Sequence, residues 1–241
     1  MPITFQGAPY PADSNRFTAL NRRLINNAAA GASGTGATSR RTIINGMFDG
    51  DISTSAVAGA FYRISLNTGS LTHNFDSVGP VDLRGTWSLM FRTFMVGNAG
   101  NSHILFSIGA DAANGVPTTG ISIGIEIPDA TTARLWQCNN TTPVYSSLGT
   151  LPTSIASIAV TGDHIFWLDC NGSTNTISLF CAFKTFASTF PAKPTTPICS
   201  LSNIPAALPS DRGVSVLARA TATSPTVFTG LGLRDCVFTE Y

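Results

Sequence analysis

The chain has 241 residues, of which 43% are hydrophobic and 11% charged, with a formal net charge of +1. That length buries enough apolar surface to fold without a disulfide or metal framework, and the charged fraction, less than half of the roughly 25% usual in soluble domains, leaves Ser and Thr as the solubilising residues. No run approaches the ~20 apolar residues that a membrane-spanning helix requires, so no membrane partner is expected.

Charge is unevenly placed. Up to Asn45 the basic residues are Arg16, Arg22, Arg23, Arg40 and Arg41, opposed only by Asp13. Residues 1–46 read as an extended N-terminal arm and linker. PITFQGAPYPAD is Pro-rich, and SNRFTALNRRLINNAAA has Asp13 or Ser14 as a cap with Phe17, Leu20 and Leu24 on one helical face. GASGTGATS follows as a flexible Gly/Ser/Thr stretch. Phe5, Tyr10, Phe17, Arg22 and Arg23 are the arm's candidate subunit-docking anchors. Five arginines suit an acidic protein surface better than a nucleic acid, which is not expected as a partner.

Residues 47–241 read as one all-β domain. In TWSLMFRTFMV, Trp87, Leu89, Phe91 and Thr93 fall on one side of a strand, and Ser88, Met90, Arg92 and Phe94 on the other. HILFSIGAD, GISIGIEI, ARLWQC, SIASIAVTG, HIFWLDC, TISLFCAF, GVSVLARA and LRDCVFTEY continue the series. The Asn171-Gly172 pair marks a hairpin turn, because both residues accept positive φ. Short strands recurring with turns between them predict an antiparallel jelly roll or sandwich.

Catalytic constellations are missing. Glycoside hydrolysis needs two carboxylates flanking one bond, and the chain has two glutamates, Glu126 and Glu240, with no acidic cluster around either. Glu126 reads as a solvated strand end, Asp163 and Asp169 as turn residues, and His164 as a strand-start or surface histidine. His73, His103 and His164 lie in separate segments, and no GxSxG elbow precedes a helix. The expected protein is not an enzyme.

Cys138, Cys170, Cys181, Cys199 and Cys236 are odd in number and lack CxxC spacing, so they read as buried thiols; the alternative is a disulfide between Cys170 and Cys181. No metal site is expected. Calcium remains the one cofactor to weigh, with Asp111 and Asn114, or Asp169 and Asn171, as oxygen ligands. Both pairs are better explained as turn residues bonding their own backbone. Trp87 and Trp167 read as core, whereas Trp136, leading into a polar loop, and Tyr145 are the glycan-stacking candidates.

The segment Gly85–Arg92, the strand HILFSIGAD, the hairpin IAVTGDHIFWLDCNGSTNTI and the closing run Gly230–Tyr241 together resemble the concanavalin A-like family, in its laminin-G-like branch. The resemblance covers roughly residues 60–241 and implies a jelly roll whose last strand returns beside the first. It also implies one of three settings: adhesion proteins, carbohydrate-binding modules or bacteriophage virion proteins. MPITFQGAPYPADSNRF has no signal-peptide pattern, which points to a protein made in a host cytosol and carried in the virion. The expected function is a capsid decoration or tail component that docks through its arm on capsid or tail proteins, as a homo-oligomer such as a trimer. The alternative is a carbohydrate- or receptor-binding lectin-like module, whose partner is a glycan.

Overall fold

The computed structural model describes residues 22–23, 29–33, 43–44, 47–53, 61–65, 85–96, 102–109, 116, 118–156, 162–204, 214–220 and 228–241. Among them every regular element is a β-strand, and every pairing is antiparallel. In chain order these are β1 (Arg22–Arg23), β2 (Ala29–Ser33), β3 (Ile43–Ile44), β4 (Met47–Ser53), β5 (Phe61–Ser65), β6 (Trp87–Val96), β7 (Ser102–Gly109) and β8 (Ile121–Ile127). They continue with β9 (Thr132–Asn139), β10 (Val144–Tyr145), β11 (Gly149–Thr150), β12 (Gly162–Asn171), β13 (Thr176–Thr185), β14 (Cys199–Ser202), β15 (Val214–Ala220) and β16 (Phe228–Glu240).

Two eight-stranded sheets result. Sheet I runs β14-β13-β12-β6-β16-β4-β3, with β1 also on β16; sheet II runs β10-β9-β8-β7-β15-β5-β2, with β11 also on β9. The closing strand β16 lies between β6 and β4, as the resemblance implied, and Tyr241 N–H donates to Thr86 O at 2.9 Å to extend that ladder. The sandwich expected from the strand series is therefore the observed fold. In three places the sequence reading is replaced. Arg22–Arg23 and Ala29–Ser33 are strands paired with β16 and β5, where a helix and the start of a flexible linker were expected. Ladder pairing supplies their backbone with partners that a short helix of this composition would have had to find alone. Residues 154–156 of SIASIAVTG are not strand, although Ile155 N–H is tied to Ala130 O at 2.9 Å. The hairpin turn occupies residues 172–175, and its left-handed residue is Asn175, at φ 53°, instead of the Asn171-Gly172 pair.

Alternation decides the core. On β6, Trp87, Leu89, Phe91, Thr93 and Met95 are buried, and the residues between them are half-buried. Directly opposed residues share a face, so His164, Phe166, Leu168 and Cys170 of β12 face inward beside Thr93, Phe91, Leu89 and Trp87. Sheet II meets them with Phe106, whose ring lies 4.7 Å from Phe91 and 5.9 Å from Phe166; Phe91 and Phe166 are 5.3 Å apart. This triad stitches the two layers, each ring contributing about 1.5–3 kcal/mol by burial.

The outer faces are also covered in part. On β12 the outward residues Asp163, Ile165 and Trp167 are buried as well. Residues 186–198, between β13 and β14, form a strap over Trp167: Phe190 meets its ring edge-on at 6.4 Å, and Lys193 reaches Asp169 and the Phe180 ring. Pro191, Pro194 and Pro197 keep the strap extended. On sheet II, Trp136 packs flat against Gly124 of β8. A Cβ there would stand 2.5 Å from Trp136 Cζ2 and collide with the Phe106 carbonyl, so only glycine admits the indole.

Candidate functional site: a cleft at the hairpin end of sheet I

A cleft of about 330 Å³ opens where β6 begins and the β12–β13 hairpin turns, and its lining includes Thr86, Asp169, Asn171, Ser178, Phe180 and Tyr241. The ladders bring these residues together. Asp169 lies opposite Ser88 of β6 and Ser178 of β13, so the three side chains share the outer face. Asp169 Oδ1 accepts from Ser88 Oγ at 2.7 Å, and Oδ2 is held by the Lys193 ammonium. Lys193 Nζ also sits 4.3 Å above the Phe180 ring, a cation–π contact that fixes it from a second direction. The Ser178 and Ser200 hydroxyls are bonded at 2.9 Å.

The turn at the cleft's end is ordered by its own side chains. Asn171 Oδ1 accepts from Ser173 N–H at 3.1 Å, Ser173 Oγ at 2.7 Å and Thr174 N–H at 3.3 Å. Gly172 N–H donates to Thr86 Oγ1 at 3.3 Å, tying the turn to the start of β6. The Asn171 oxygen is thus spent on its own turn, as the sequence reading had it for both members of the Asp169–Asn171 pair, whereas Asp169 bonds Ser88 and Lys193 instead of its own backbone. Asn171 and Tyr241 are both exposed residues, Tyr241 at 60%. The cleft therefore combines one side-chain carboxylate, an amide, hydroxyls and an aromatic residue, a donor and acceptor set suited to a polyhydroxylated ligand.

Several sequence expectations are corrected by burial. Trp136 is fully buried and offers no face for stacking, because Gly124 lets it sink onto β8. Tyr145, opposite Trp136 in the ladder, is exposed, but Arg134 lies 3.8 Å over its ring and occupies one face. Burial, with the Glu126 carboxylate, raises the Tyr145 phenol above its ordinary 10.0, against the opposing pull of Arg134. Glu126 is no solvated strand end: it is buried and ion-paired with Arg134, its opposite number on β9. Asp163 serves no turn, since it is buried and paired with Arg92 at 2.7 Å. Asp169 is likewise a pairing residue.

His164 is fully buried on the core face, with Nε2 2.9 Å from Thr153 O. Desolvation lowers its pKa from 6.5, against the Thr153 carbonyl and the Asp163 charge, so it stays neutral. A disulfide between Cys170 and Cys181 is ruled out by register. Cys170 faces Ile177 and Cys181 faces Phe166, a separation of four ladder positions, or roughly 13 Å at ~3.3 Å per residue, well beyond the ~7 Å limit. Cys138, Cys170, Cys181 and Cys199 are free and buried, and burial pushes the Cys181 and Cys199 thiols up, which makes them unreactive.

The docking residues Phe5, Tyr10 and Phe17 lie outside the described residues, as do Asp111 and Asn114; Arg22 and Arg23 are placed only as backbone, in β1. Among the described residues no group of three or more His, Cys, Asp or Glu side chains converges as a metal site would. Sequence reasoning missed Ser178, Phe180, Lys193 and Tyr241. The hairpin register alone would have placed Ser178 beside Asp169, but no local signal brings in Lys193 or Tyr241.

No family model matches the sequence, and no curated protein does. Solved structures do match in shape. Lectin I-B4 from Griffonia simplicifolia, in its metal-free form, superposes with a TM-score of 0.52 at 8% identity, covering 92% of this chain and 99% of the lectin. The legume lectin-like domain from Entamoeba histolytica gives 0.50 at 10% identity, covering 90% and 92%. A native glycosidic hydrolase gives 0.51 at 10%, covering 91% and 94%. At such identities the likeness is one of fold alone: the chain has the β-sandwich jelly roll that these lectins and the hydrolase have in common. Both binding proteins and hydrolases share that fold, while the narrower laminin-G-like assignment and a virion role draw no support from it.

Proposed function

We propose that this chain is a non-catalytic, lectin-like carbohydrate-binding module whose site is the cleft at the hairpin end of sheet I. The observation that carries the reading is the cleft's make-up. An exposed ring, Tyr241, stands beside an ordered carboxylate, Asp169, and the Asn171 amide, in a space of about 330 Å³. Sugars are recognised by this pairing, with an aromatic face against the C–H side of the ring and fixed acceptors for its hydroxyls. The fold likeness to lectins supports the same reading.

Hydrolysis is disfavoured by the same geometry. Retaining and inverting glycosidases set two carboxyl groups roughly 5–9.5 Å apart across the bond, both of them side chains, and Asp169 is the one side-chain carboxylate among the described lining residues. Glu126 and Asp163 are committed to Arg134 and Arg92, and Asp129 to the backbone and hydroxyls of Thr131 and Thr132.

The test is a glycan array followed by NMR titration of any hit, with Tyr241→Ala as the site variant. Loss of the stacking ring is expected to weaken binding by about tenfold or more, with an unchanged melting temperature. No bound glycan, or a hit indifferent to Tyr241→Ala, would overturn the assignment.

A further inference from the structure

The cleft's one side-chain carboxylate is not left as a bare charge. Asp169 is held on both oxygens, by Ser88 at Oδ1 and Lys193 at Oδ2, and Lys193 is itself held over Phe180. Each carboxylate oxygen has a second lone pair, so Asp169 can still accept from ligand hydroxyls while its charge is cancelled at contact distance. The lysine comes from the strap, 24 residues further along the chain, and not from the sheet that builds the cleft floor. Removing either partner would leave the other as a net charge at the cleft wall.

We propose that the Asp169–Lys193 pair makes this cleft selective for uncharged sugar rings, with Asp169 the hydroxyl acceptor and Lys193 the positioning residue that orients and neutralises it. This rests on the glycan-binding reading above. Among the described lining residues an anionic sugar meets the Asp169 carboxylate and no lysine or arginine, and a cationic sugar meets a carboxylate already paired with the Lys193 ammonium. Lys193→Met leaves an unbalanced negative charge, so the preference should move towards amino sugars. Asp169→Asn leaves an unbalanced positive charge and should move it towards uronic acids.

The experiment is NMR titration of the whole chain at low salt. The probes are methyl glycosides of glucose, galactose and mannose, with the corresponding uronic acids and 2-amino sugars. Wild-type protein should favour at least one neutral glycoside over its charged counterparts by about fivefold, the scale of an exposed ion pair. In Lys193→Met the amino sugar should gain relative to the neutral one, and in Asp169→Asn the uronate should gain, with melting temperatures monitored in parallel. Charged sugars binding wild type as well as neutral ones, or variants that keep the wild-type order, would overturn the selectivity while leaving glycan binding intact. Absence of binding by every probe and every array glycan would instead remove both readings together.

Discussion

Phe166→Ala removes the ring that touches both Phe91 of its own sheet and Phe106 of the opposite one, at 5.3 and 5.9 Å. The side chain is fully buried, so its transfer from water is lost almost entirely, about 2–3 kcal/mol. Two aromatic contacts add roughly 0.5–1.5 kcal/mol each, and the void between two ladders of backbone hydrogen bonds has little freedom to collapse. The sum, about 4 kcal/mol, lies within the usual range for such a truncation in a core. For a chain of this size each kcal/mol moves the melting temperature by roughly 2–4 °C, which gives a fall of about 8–16 °C. Circular dichroism melts, with urea unfolding as a second measure, would read it directly. Leu148→Ala is the control, because that residue is 54% exposed and should change stability by less than about 0.5 kcal/mol. A loss below about 1 kcal/mol in Phe166→Ala, or one matched by Leu148→Ala, would refute the placement of the core between these sheets.

Two further outcomes follow from the buried polar groups. His164 is held neutral, its pKa lowered from 6.5 by desolvation, so the unfolded chain binds a proton below pH 6.5 that the folded chain refuses. Stability is then full above about pH 6.5 and falls as pH drops, by up to ~1.4 kcal/mol per unit; unfolding curves between pH 7.5 and 5.5 should show the slope, and His164→Gln should flatten it. Arg92→Met takes the cation from Asp163, which is 1% exposed, and should cost roughly 3–5 kcal/mol. Replacing Asp163 by Leu in the same chain should recover most of that loss in a double-mutant cycle, whereas additive losses would show that the pair is not coupled.

The facing of residues along the strands is where the sequence was most legible, and β6 shows why. Its inward set Trp87, Leu89, Phe91 and Thr93 could be read from a period of two before any partner strand was known, and all four are buried. The N-terminal segment was misread for the opposite reason. RRLINNAAA has apolar spacing that fits a helix, but Arg22–Arg23 and Ala29–Ser33 lie beside strands remote in sequence. Local propensity says nothing about an open ladder position at the edge of β16 or β5. Trp136 failed in a related way. Its polar flank read as exposure, whereas its burial depends on a missing side chain, at Gly124, on a different strand.

The cleft was harder to read because its parts are far apart in sequence, Ser88 and Asp169 being separated by 81 residues. Yet one local signal did point to it. Gly162–Leu168 of β12 is buried without alternation, and HIFWL in the sequence is a continuous apolar run with no polar outer face. A strand of that kind must be covered on both sides, so a segment has to lie over sheet I opposite the core. The Pro-rich stretch between β13 and β14 is the cover, and Phe190 lies on Trp167 for this reason. Once that strap is laid across β12 over Trp167, Lys193 falls near the strand's end, where Asp169 gives it a counter-charge. The polar site is in this sense a consequence of double-sided burial. The apolar run calls for the strap, the strap carries the lysine, and the lysine sets the charge of the cleft.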